Sequence, residues 1–308
     1  MTFQQLEYLV SVYDHRHFGH AAEECKVSQP TLSTTIQKLE AELGVTLFER
    51  SSRTVKPTPI CEKVVQQARQ TLMAAEGIGQ LIADAQRKPS GTFRLGILPT
   101  IAPYLLPRCF PKLCKDFPQL DLRVKEMKTQ PIKEALLSGD IDAAVIVRTE
   151  DAEGLRLTPL FFEQFVAYVA PSHALYHLPA IKTSDLVNEA VWLLDEGHCF
   201  RDQLVKFCHL KSAEMSRRSY TLGSIETFMR MVEAGAGVTF IPELALFQLN
   251  SEQRKLVRPF AIPIPTREIV LATAPHFVRE SVKDLLVERI RGCVPERMKK
   301  LNNTETRV

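Results

Sequence analysis

Hydrophobic positions near the start of the chain recur with the period of an α-helix. One amphipathic helix is indicated by residues at the i, i+3, i+4 and i+7 positions, which are Leu6, Leu9, Val10 and Tyr13. A second, short helix is predicted from Phe18 to Cys25. A third follows, because Ser28 is a good N-cap and Pro30 falls in the first turn, where its missing N–H costs nothing. The apolar stripe of this third helix is Leu32, Ile36, Leu39 and Leu43.

The polar face of the third helix carries short side chains that suit base edges and phosphates in a DNA major groove. The residues expected to contact DNA there are Ser28, Gln29, Pro30, Thr31, Ser33, Thr34 and Lys38. Arg50 and Arg53 cluster with Lys56 on a predicted ribbon, which is consistent with a wing that binds phosphates. The spacing also fits an ordinary three-helix module with a solvated polar face.

A proline-free stretch from Thr58 to about Gln86 predicts one long helix. Apolar and small residues recur there at alternating four- and three-residue steps, the a/d seam of a coiled coil: Cys61, Val65, Ala68, Leu72, Ala75, Gly79 and Ile82. We expect this helix to pair two subunits, since a helix-turn-helix usually binds two half-sites as a dimer. Packing of the helix on its own domain is the alternative.

Predicted strands and helices alternate after residue 91, which favours a largely parallel α/β sheet. The predicted strands are Phe93–Leu98, Leu120–Met127, Ile141–Val147, Phe165–Val169, Val191–Leu194, Val238–Ile241 and Ile269–Thr273. The predicted helices are Ala102–Phe117, Ile132–Leu137, Ser224–Ala234 and Phe277–Arg291. Thr100 and Thr129 each follow a strand, where such sheets bind ligands, although each could be a plain helix cap.

Composition places the chain in the soluble globular class, since 45% of its 308 residues are hydrophobic and 24% are charged. No run approaches the ~18 apolar residues of a membrane span. We therefore expect a cytoplasmic protein with no membrane partner. The net charge of +3 is too small to indicate a polyanionic partner by itself.

Seven cysteines scattered along a long chain are not a disulfide framework. Cys199 is predicted to start a helix with Arg201 close by, and both features favour the thiolate, which can attack a peroxide to give a sulfenic acid. Cys208 lies nine residues further on, about 13 Å along a helix, whereas a disulfide needs Cα atoms within roughly 7 Å. Two buried structural cysteines, or a zinc site with His198 and His209, are the alternatives.

Several motifs in the first 50 residues resemble the winged helix-turn-helix of the LysR-type transcriptional regulators. They are Phe18-x-x-Ala21-Ala22, Val27-Ser28-Gln29-Pro30-Thr31-Leu32-Ser33 and Ile36-x-x-Leu39-Glu40-x-x-Leu43-Gly44-Val45-x-Leu47-Phe48-x-Arg50. The resemblance implies a winged helix-turn-helix domain at 1–58 and a linker helix with its hinge at 59–90. It also implies an α/β effector domain at 91–308, similar to periplasmic binding proteins. That domain would have one subdomain at about 91–160 and 268–300 and another at about 161–267.

A second set of motifs resembles the peroxide-sensing members of that family. They are Gly197-His198-Cys199-x-Arg201-Asp202-Gln203, Phe207-Cys208, the run from Leu98 to Pro107, and His15-Arg16-His17-Phe18. The resemblance implies that Cys199 reacts with peroxide and that Cys208 resolves the product. It also implies that Thr100, Thr129, His198 and Arg267 line the peroxide pocket. The likeness fades after about Arg291.

The resemblance implies a homodimeric or homotetrameric regulator of oxidative-stress genes. Its partners would be double-stranded promoter DNA, hydrogen peroxide and RNA polymerase. No cofactor or metal is expected. A regulator that binds a small metabolite between its effector subdomains is one alternative. A thiol peroxidase is the other, but we expect a protein that is not an enzyme, because a DNA-binding domain makes little sense for a peroxidase.

Overall fold

The structure is a computed structural model that describes residues 1–49, 55–85, 89–149, 152–186, 189, 191–208, 210, 224–235 and 237–308. The chain divides into two compact units, one comprising residues 1–86 with 137–139 and the other the remaining residues. Each unit has its own hydrophobic core.

The first unit contains the three predicted helices, a short ribbon and a long helix. The elements are α1 (Phe3–His15), α2 (Phe18–Glu24), α3 (Gln29–Leu43), β1 (Phe48–Glu49), β2 (Lys56–Pro57) and α4 (Pro59–Ala85). Ser28 caps α3 as predicted, and Gly44 ends it in the left-handed conformation with φ of 69°. The antiparallel pair of β1 and β2 confirms the predicted ribbon.

The long helix α4 divides into a buried and an exposed half. Cys61, Val65 and Ala68 are buried in the core of their own unit, which contradicts the expectation that this half of the seam faces a second subunit. Further along, Ile78, Leu81 and Ile82 are exposed to 65%, 52% and 61% at i, i+3 and i+4 spacing. Within the described residues, no helix has the length and apolar character needed to cross a membrane.

The second unit is built around one mixed sheet. Its strands are β3 (Gly91–Ile97), β4 (Leu120–Glu126), β5 (Ala143–Val147), β6 (Arg156–Val169), β7 (Val191–Trp192), β8 (Val238–Pro242), β9 (Val257–Arg258), β10 (Ile264–Thr273) and β11 (Glu305–Arg307). The order across the sheet is β4-β3-β5-β10-β6-β8-β7, with β11 beside β10 and β9 beside β6.

The expectation of a largely parallel sheet is wrong for its centre. β6 and β10 run antiparallel to each other, β6 runs antiparallel to β8 and β9, and β10 runs antiparallel to β5. These two strands are also longer than predicted, because polar residues such as Glu163 and Arg267 interrupt their apolar pattern but are buried and paired.

The helices of this unit are α5 (Ala102–Asp116), α6 (Thr129–Ser138), α7 (Cys199–Cys208), α8 (Ile225–Glu233), α9 (Ser251–Arg254) and α10 (Glu280–Gly292). Short 3-10 helices among the described residues lie at Ala174–His177, Thr183–Leu186, Glu243–Phe247 and Glu296–Lys299. Two features matter for the site. The helix α7 joins the two cysteines of the predicted switch, and the short strand β11 pairs with the start of β10.

Candidate functional site

The exposed surface of α3 carries most of the residues predicted to contact DNA. Gln29, Pro30, Thr31, Thr34 and Lys38 are exposed and Ser33 is partly buried, while the apolar stripe of the helix is buried. Ser28 Oγ accepts a hydrogen bond from Thr31 N at 3.4 Å and lies 2.8 Å from Thr31 Oγ1. Ser28 therefore has a structural role at the start of the helix, whether or not it also contacts DNA.

The ribbon is fixed to α3 by a carboxylate. Glu40 Oε1 accepts from the backbone N–H groups of Leu47 at 2.7 Å and Phe48 at 3.2 Å. This pairing fixes the start of the ribbon to α3, and Lys56 is exposed on β2. Arg50 and Arg53, which the sequence assigned to phosphate contacts, lie outside the described residues.

Cys199 is the first residue of α7. Gly197 adopts φ of 83°, and the carbonyl oxygen of His198 accepts from Arg201 N at 2.9 Å and Asp202 N at 3.2 Å. This turn places the Cys199 thiol at the positive end of the helix dipole, which favours a negative charge. The side chain is 9% exposed, so it is largely shielded from bulk water.

A buried ion pair lies beside Cys199. Arg267 donates from Nε and Nη2 to Glu163 Oε2 at 2.9 and 2.6 Å. It also donates from Nη1 to Thr100 Oγ1 at 3.1 Å and from Nη2 to the Thr100 carbonyl at 3.0 Å. The guanidinium lies 5.0 Å from the centre of the ring of Phe200, the residue that follows Cys199 in the sequence. Arg267 is thus held rigidly near the thiol.

Opposing effects act on the Cys199 thiol. Burial raises its pKa above the usual range, while the positive charge of Arg267 and the hydroxyl of Thr129 act in the opposite direction. The Thr129 interaction falls short of a complete hydrogen bond, since Thr129 Oγ1 has no partner of adequate geometry among the described residues. The nearby groups therefore reduce, but do not cancel, the effect of burial on the thiol pKa.

The cation that acts on Cys199 is Arg267, which the family resemblance implies, and not the neighbouring Arg201, which the local sequence suggests. Arg201 turns towards Glu196 and Asp202, at 3.9 and 3.7 Å, so its charge is directed to those carboxylates. Arg267, far away in the sequence, takes its place. Sequence neighbours alone could not reveal this, because strand β10 brings Arg267 to the site.

His198 is buried next to Cys199, in surroundings that favour its neutral form. Burial lowers its pKa, the nearby charge of Lys128 lowers it further, and Asp195 opposes both effects. The ring Nε2 lies 3.1 Å from Asp195 Oδ1 without completing a hydrogen bond of good geometry. Asp195 in turn accepts from Lys128 Nζ at 2.8 Å.

Cys208 lies at the opposite end of α7 and is fully buried. Burial raises the pKa of its thiol to about 12. Both cysteines are free, and the intact helix holds their Cα atoms about 13 Å apart. A disulfide between them therefore requires α7 to unwind.

An open cavity of ≈960 Å³ borders Cys199. Its lining includes Thr129, Thr149 and Gln203, which all carry buried oxygen atoms that lack a hydrogen-bond partner among the described residues. The sequence motif around Cys199 contains Gln203 but indicates no role for it. The spacing of four residues indicates that Gln203 shares a helical face with Cys199.

The predicted pocket residues surround Cys199 on different sides. Thr129 faces the cavity, Thr100 and Arg267 form the buried network, and His198 precedes the thiol in the chain. Glu163, which no sequence motif indicates, completes that network. Among the described residues, no group of three or more His, Cys, Asp or Glu side chains is arranged to hold a metal ion. His209, part of the zinc alternative, lies outside the described residues.

Comparison with known families and proteins gives consistent matches along the chain. The model of the bacterial regulatory helix-turn-helix protein, lysR family, matches residues 3–62, and that of the LysR substrate binding domain matches residues 86–292. A hydrogen peroxide-inducible genes activator of Dickeya chrysanthemi is 35% identical over 302 residues, covering 98% of this chain and 99% of the relative.

Solved structures agree with these matches. A cysteine mutant of full-length OxyR from Pseudomonas aeruginosa superposes with a TM-score of 0.80 at 35% identity, covering 96% of this chain and 99% of that protein. A cysteine mutant of OxyR from Corynebacterium glutamicum, solved with bound H₂O₂, superposes with a TM-score of 0.64 at 30% identity, covering 95% and 92%.

Proposed function

The chain belongs to the LysR family of bacterial DNA-binding transcriptional regulators, and we propose that it senses hydrogen peroxide through Cys199 and Cys208. The observation that carries the proposal is the setting of Cys199. This thiol begins a helix, borders a cavity and lies near a fixed Arg267, while Cys208 ends the same helix.

The proposed reaction uses one peroxide molecule per disulfide. The Cys199 thiolate attacks one peroxide oxygen, the O–O bond breaks, and the departing hydroxide takes up the thiol proton to leave as water. The sulfur of Cys208 then attacks the sulfenic acid, which forms the S–S bond and releases a second water. Two thiols and hydrogen peroxide thus give one disulfide and two water molecules.

We assign the four predicted pocket residues distinct parts in this reaction. Thr129 hydrogen-bonds the thiolate or the peroxide from the cavity side. Arg267 stabilises the developing negative charge, and Thr100 holds Arg267 in place. His198 stays neutral and shapes the turn before α7.

Disulfide mapping with DNA footprinting after a brief peroxide pulse tests the proposal. We expect a peptide that joins Cys199 to Cys208, together with a changed footprint, and we expect Cys199→Ser to lose both. Cys114→Ser is the matched control, because Cys114 is exposed on α5 and takes no part in the reaction. Switching that persists in Cys199→Ser, or that disappears in Cys114→Ser, would contradict the proposal.

Segment roles follow from the same premise. Residues 1–58 bind promoter DNA, 59–90 pair subunits through the exposed half of α4, and 91–308 sense the signal.

The unwinding of α7 would alter how subunits associate as a dimer or tetramer. Through α4, it would also alter the spacing of the DNA-binding units. Promoter activation implies contact with RNA polymerase in the cytoplasm, where the DNA lies. A sensor of this kind consumes one peroxide equivalent per subunit, whereas a peroxidase would continue with a reductant.

The size of the cavity favours a second candidate, the binding of a small metabolite. Its ≈960 Å³ lies at the upper end of the range for ligand pockets and far exceeds the volume of peroxide. Lys133 and Lys206 on its lining would suit an anionic ligand, although Glu153 and Asp202 also line it and Arg148 there is paired with Glu268. Mass spectrometry of small molecules released from the denatured protein tests this candidate. A stoichiometric ligand that changes the footprint of Cys199→Ser would support it.

A further inference from the structure

Cys109 and Cys293 form a second thiol pair, away from the α7 helix. Cys109 lies on α5 and is 6% exposed, and Cys293 directly follows α10 and is partly buried against the same core. Cys293 lies close enough to raise the pKa of the Cys109 thiol, although the two residues are far apart in the sequence, and the Cys109 thiol itself donates to the Leu105 carbonyl at 3.3 Å. The mechanism proposed above uses neither of them.

The helices that carry these thiols are fastened on both sides of the pair. Arg108 Nε donates to the Cys293 carbonyl at 3.0 Å. Towards the end of α5, Asp116 pairs with Arg289 on α10 at 3.1 Å. These contacts hold together the parts of α5 and α10 that carry the two thiols, whereas the other two cysteines lie at opposite ends of α7.

We propose that Cys109 and Cys293 are a second redox site, which closes to a disulfide on exchange with a small-molecule disulfide of the glutathione class. The Cys293 thiolate attacks the oxidant, whose S–S bond breaks, so that a mixed disulfide forms and one thiolate leaves. Cys109 then loses its proton and attacks the Cys293 sulfur, which expels the second thiolate. The protein gives up two protons and two electrons, and the oxidant becomes two thiols.

The order of attack follows from exposure. Cys293 is partly accessible, whereas Cys109 is buried and its pKa is raised to about 12, mainly by that burial. Cys109 is therefore a poor first nucleophile but is well placed to resolve a mixed disulfide on its neighbour. The disulfide would link α5 covalently to α10 and leave α7 intact. This site therefore responds to the thiol–disulfide balance independently of peroxide.

The test uses the full chain with Cys199→Ser and Cys208→Ser, so that five of the seven cysteines remain. After equilibration with oxidised glutathione, peptide mapping should show a Cys109–Cys293 link and the loss of both thiols. Adding Cys114→Ser should leave the Cys109–Cys293 link unchanged. Cys114 is the control because it is an exposed thiol on the same helix that takes no part in the proposed link. Adding Cys109→Ala should leave glutathione on Cys293, and adding Cys293→Ser should leave Cys109 reduced.

Three results would overturn the proposal. They are a fully reduced pair after equilibration, a link between Cys293 and Cys114, or glutathione retained on Cys293 while Cys109 is present. The Cys293→Ser variant guards against misfolding of Cys109→Ala, because it leaves the buried position unchanged. Since the background lacks both cysteines of the proposed peroxide switch, failure here is distinguishable from failure of that switch.

Discussion

Gln203 on α7 donates from Nε2 to the carbonyl oxygen of Val308 at 2.6 Å, which ties the helix of Cys199 to the segment that follows β11. Val308 N in turn donates to the Thr266 carbonyl at 3.0 Å, on strand β10. The last residues of the chain therefore brace the first turns of α7 against the central sheet. Unwinding of α7 must break this brace.

Replacing Gln203 with leucine should loosen α7 in the reduced protein. The loss of one hydrogen bond, a net contribution of about 1 kcal/mol, should raise the opening of the helix about fivefold. Hydrogen exchange of peptides covering 199–208 measures this opening. Gln130→Leu is the control, because Gln130 lines the same cavity but hydrogen-bonds within its own helix, to Glu134 at 3.0 Å. Unchanged exchange in Gln203→Leu would show that the brace does not stabilise the helix.

Thr129→Val should slow the reaction of Cys199 with peroxide about tenfold at neutral pH. The hydroxyl opposes the rise in the thiol pKa, and a hydrogen bond to a charged group contributes roughly 1.5 kcal/mol. The rate–pH profile should therefore move to higher pH, which a merely structural change would not cause. Thr149→Val is matched, since its hydroxyl lines the same cavity and also lacks a partner among the described residues. Equal slowing in both variants would exclude a specific role for Thr129.

Stability should fall as the pH drops from 7 to 5, partly through His198. Its pKa in the folded protein is lowered by burial, so the unfolded chain binds a proton below about pH 6.5 while the folded chain resists it. The contribution of neutral His198 to the free energy of unfolding is therefore present above about pH 6.5. It is lost below that pH, at up to about 1.4 kcal/mol per pH unit. Urea unfolding followed by the fluorescence of Trp192, the single tryptophan, reports on the effector unit. His198→Gln should flatten the pH dependence, whereas replacing the exposed His276 should not.

Closure of the Cys199–Cys208 disulfide should be faster in Lys206→Gly than in Lys206→Ala. Lys206 is exposed in the last turn of α7, between the two cysteines, and glycine destabilises a helix by about 1 kcal/mol relative to alanine. Both variants lose the same charge, so the comparison isolates helix opening. Quenched-flow alkylation after a peroxide pulse should give a difference of about fivefold. Identical rates would mean that unwinding of α7 does not limit closure.

Sequence pattern was sufficient for the elements whose periodicity is local. The helices α1 and α3 were predicted because their apolar stripes and caps lie within a few turns of chain, and the ribbon because basic residues cluster soon after Gly44. The helix between Cys199 and Cys208 was also anticipated, and with it the need for refolding.

Local sequence patterns could not predict which residues pair across long distances in the chain. The interactions of Glu163 with Arg267 and of Gln203 with Val308 join residues more than 100 positions apart. Local sequence reasoning therefore suggested Arg201, a neighbour in the chain, as the cation beside Cys199, and Arg267 was implied only by the family resemblance. It also gave no role to β11, whose three residues carry no periodicity and become a strand only beside β10.

Changes at Gln29 and Lys56 should separate sequence choice from binding strength on DNA. Gln29 is exposed in the first turn of α3, so Gln29→Ala should cost about 1–3 kcal/mol at one base pair of the binding site and little elsewhere. Lys56 is exposed on β2, and Lys56→Gln should weaken binding to all sequences. Because each lost phosphate contact releases one counterion fewer, the log–log dependence of affinity on salt should fall by about one in slope.

Affinity measurements on a specific site, its single-base variants and unrelated DNA, at several salt concentrations, distinguish the two effects. Lys26→Gln is a control for charge, since Lys26 lies in the turn before α3 with a left-handed φ of 55° and is not expected to bind phosphate. If Gln29→Ala weakened all sequences equally, that side chain would contact the backbone of the DNA. If Lys56→Gln left the salt slope unchanged, the β1–β2 ribbon would not be a phosphate-binding wing.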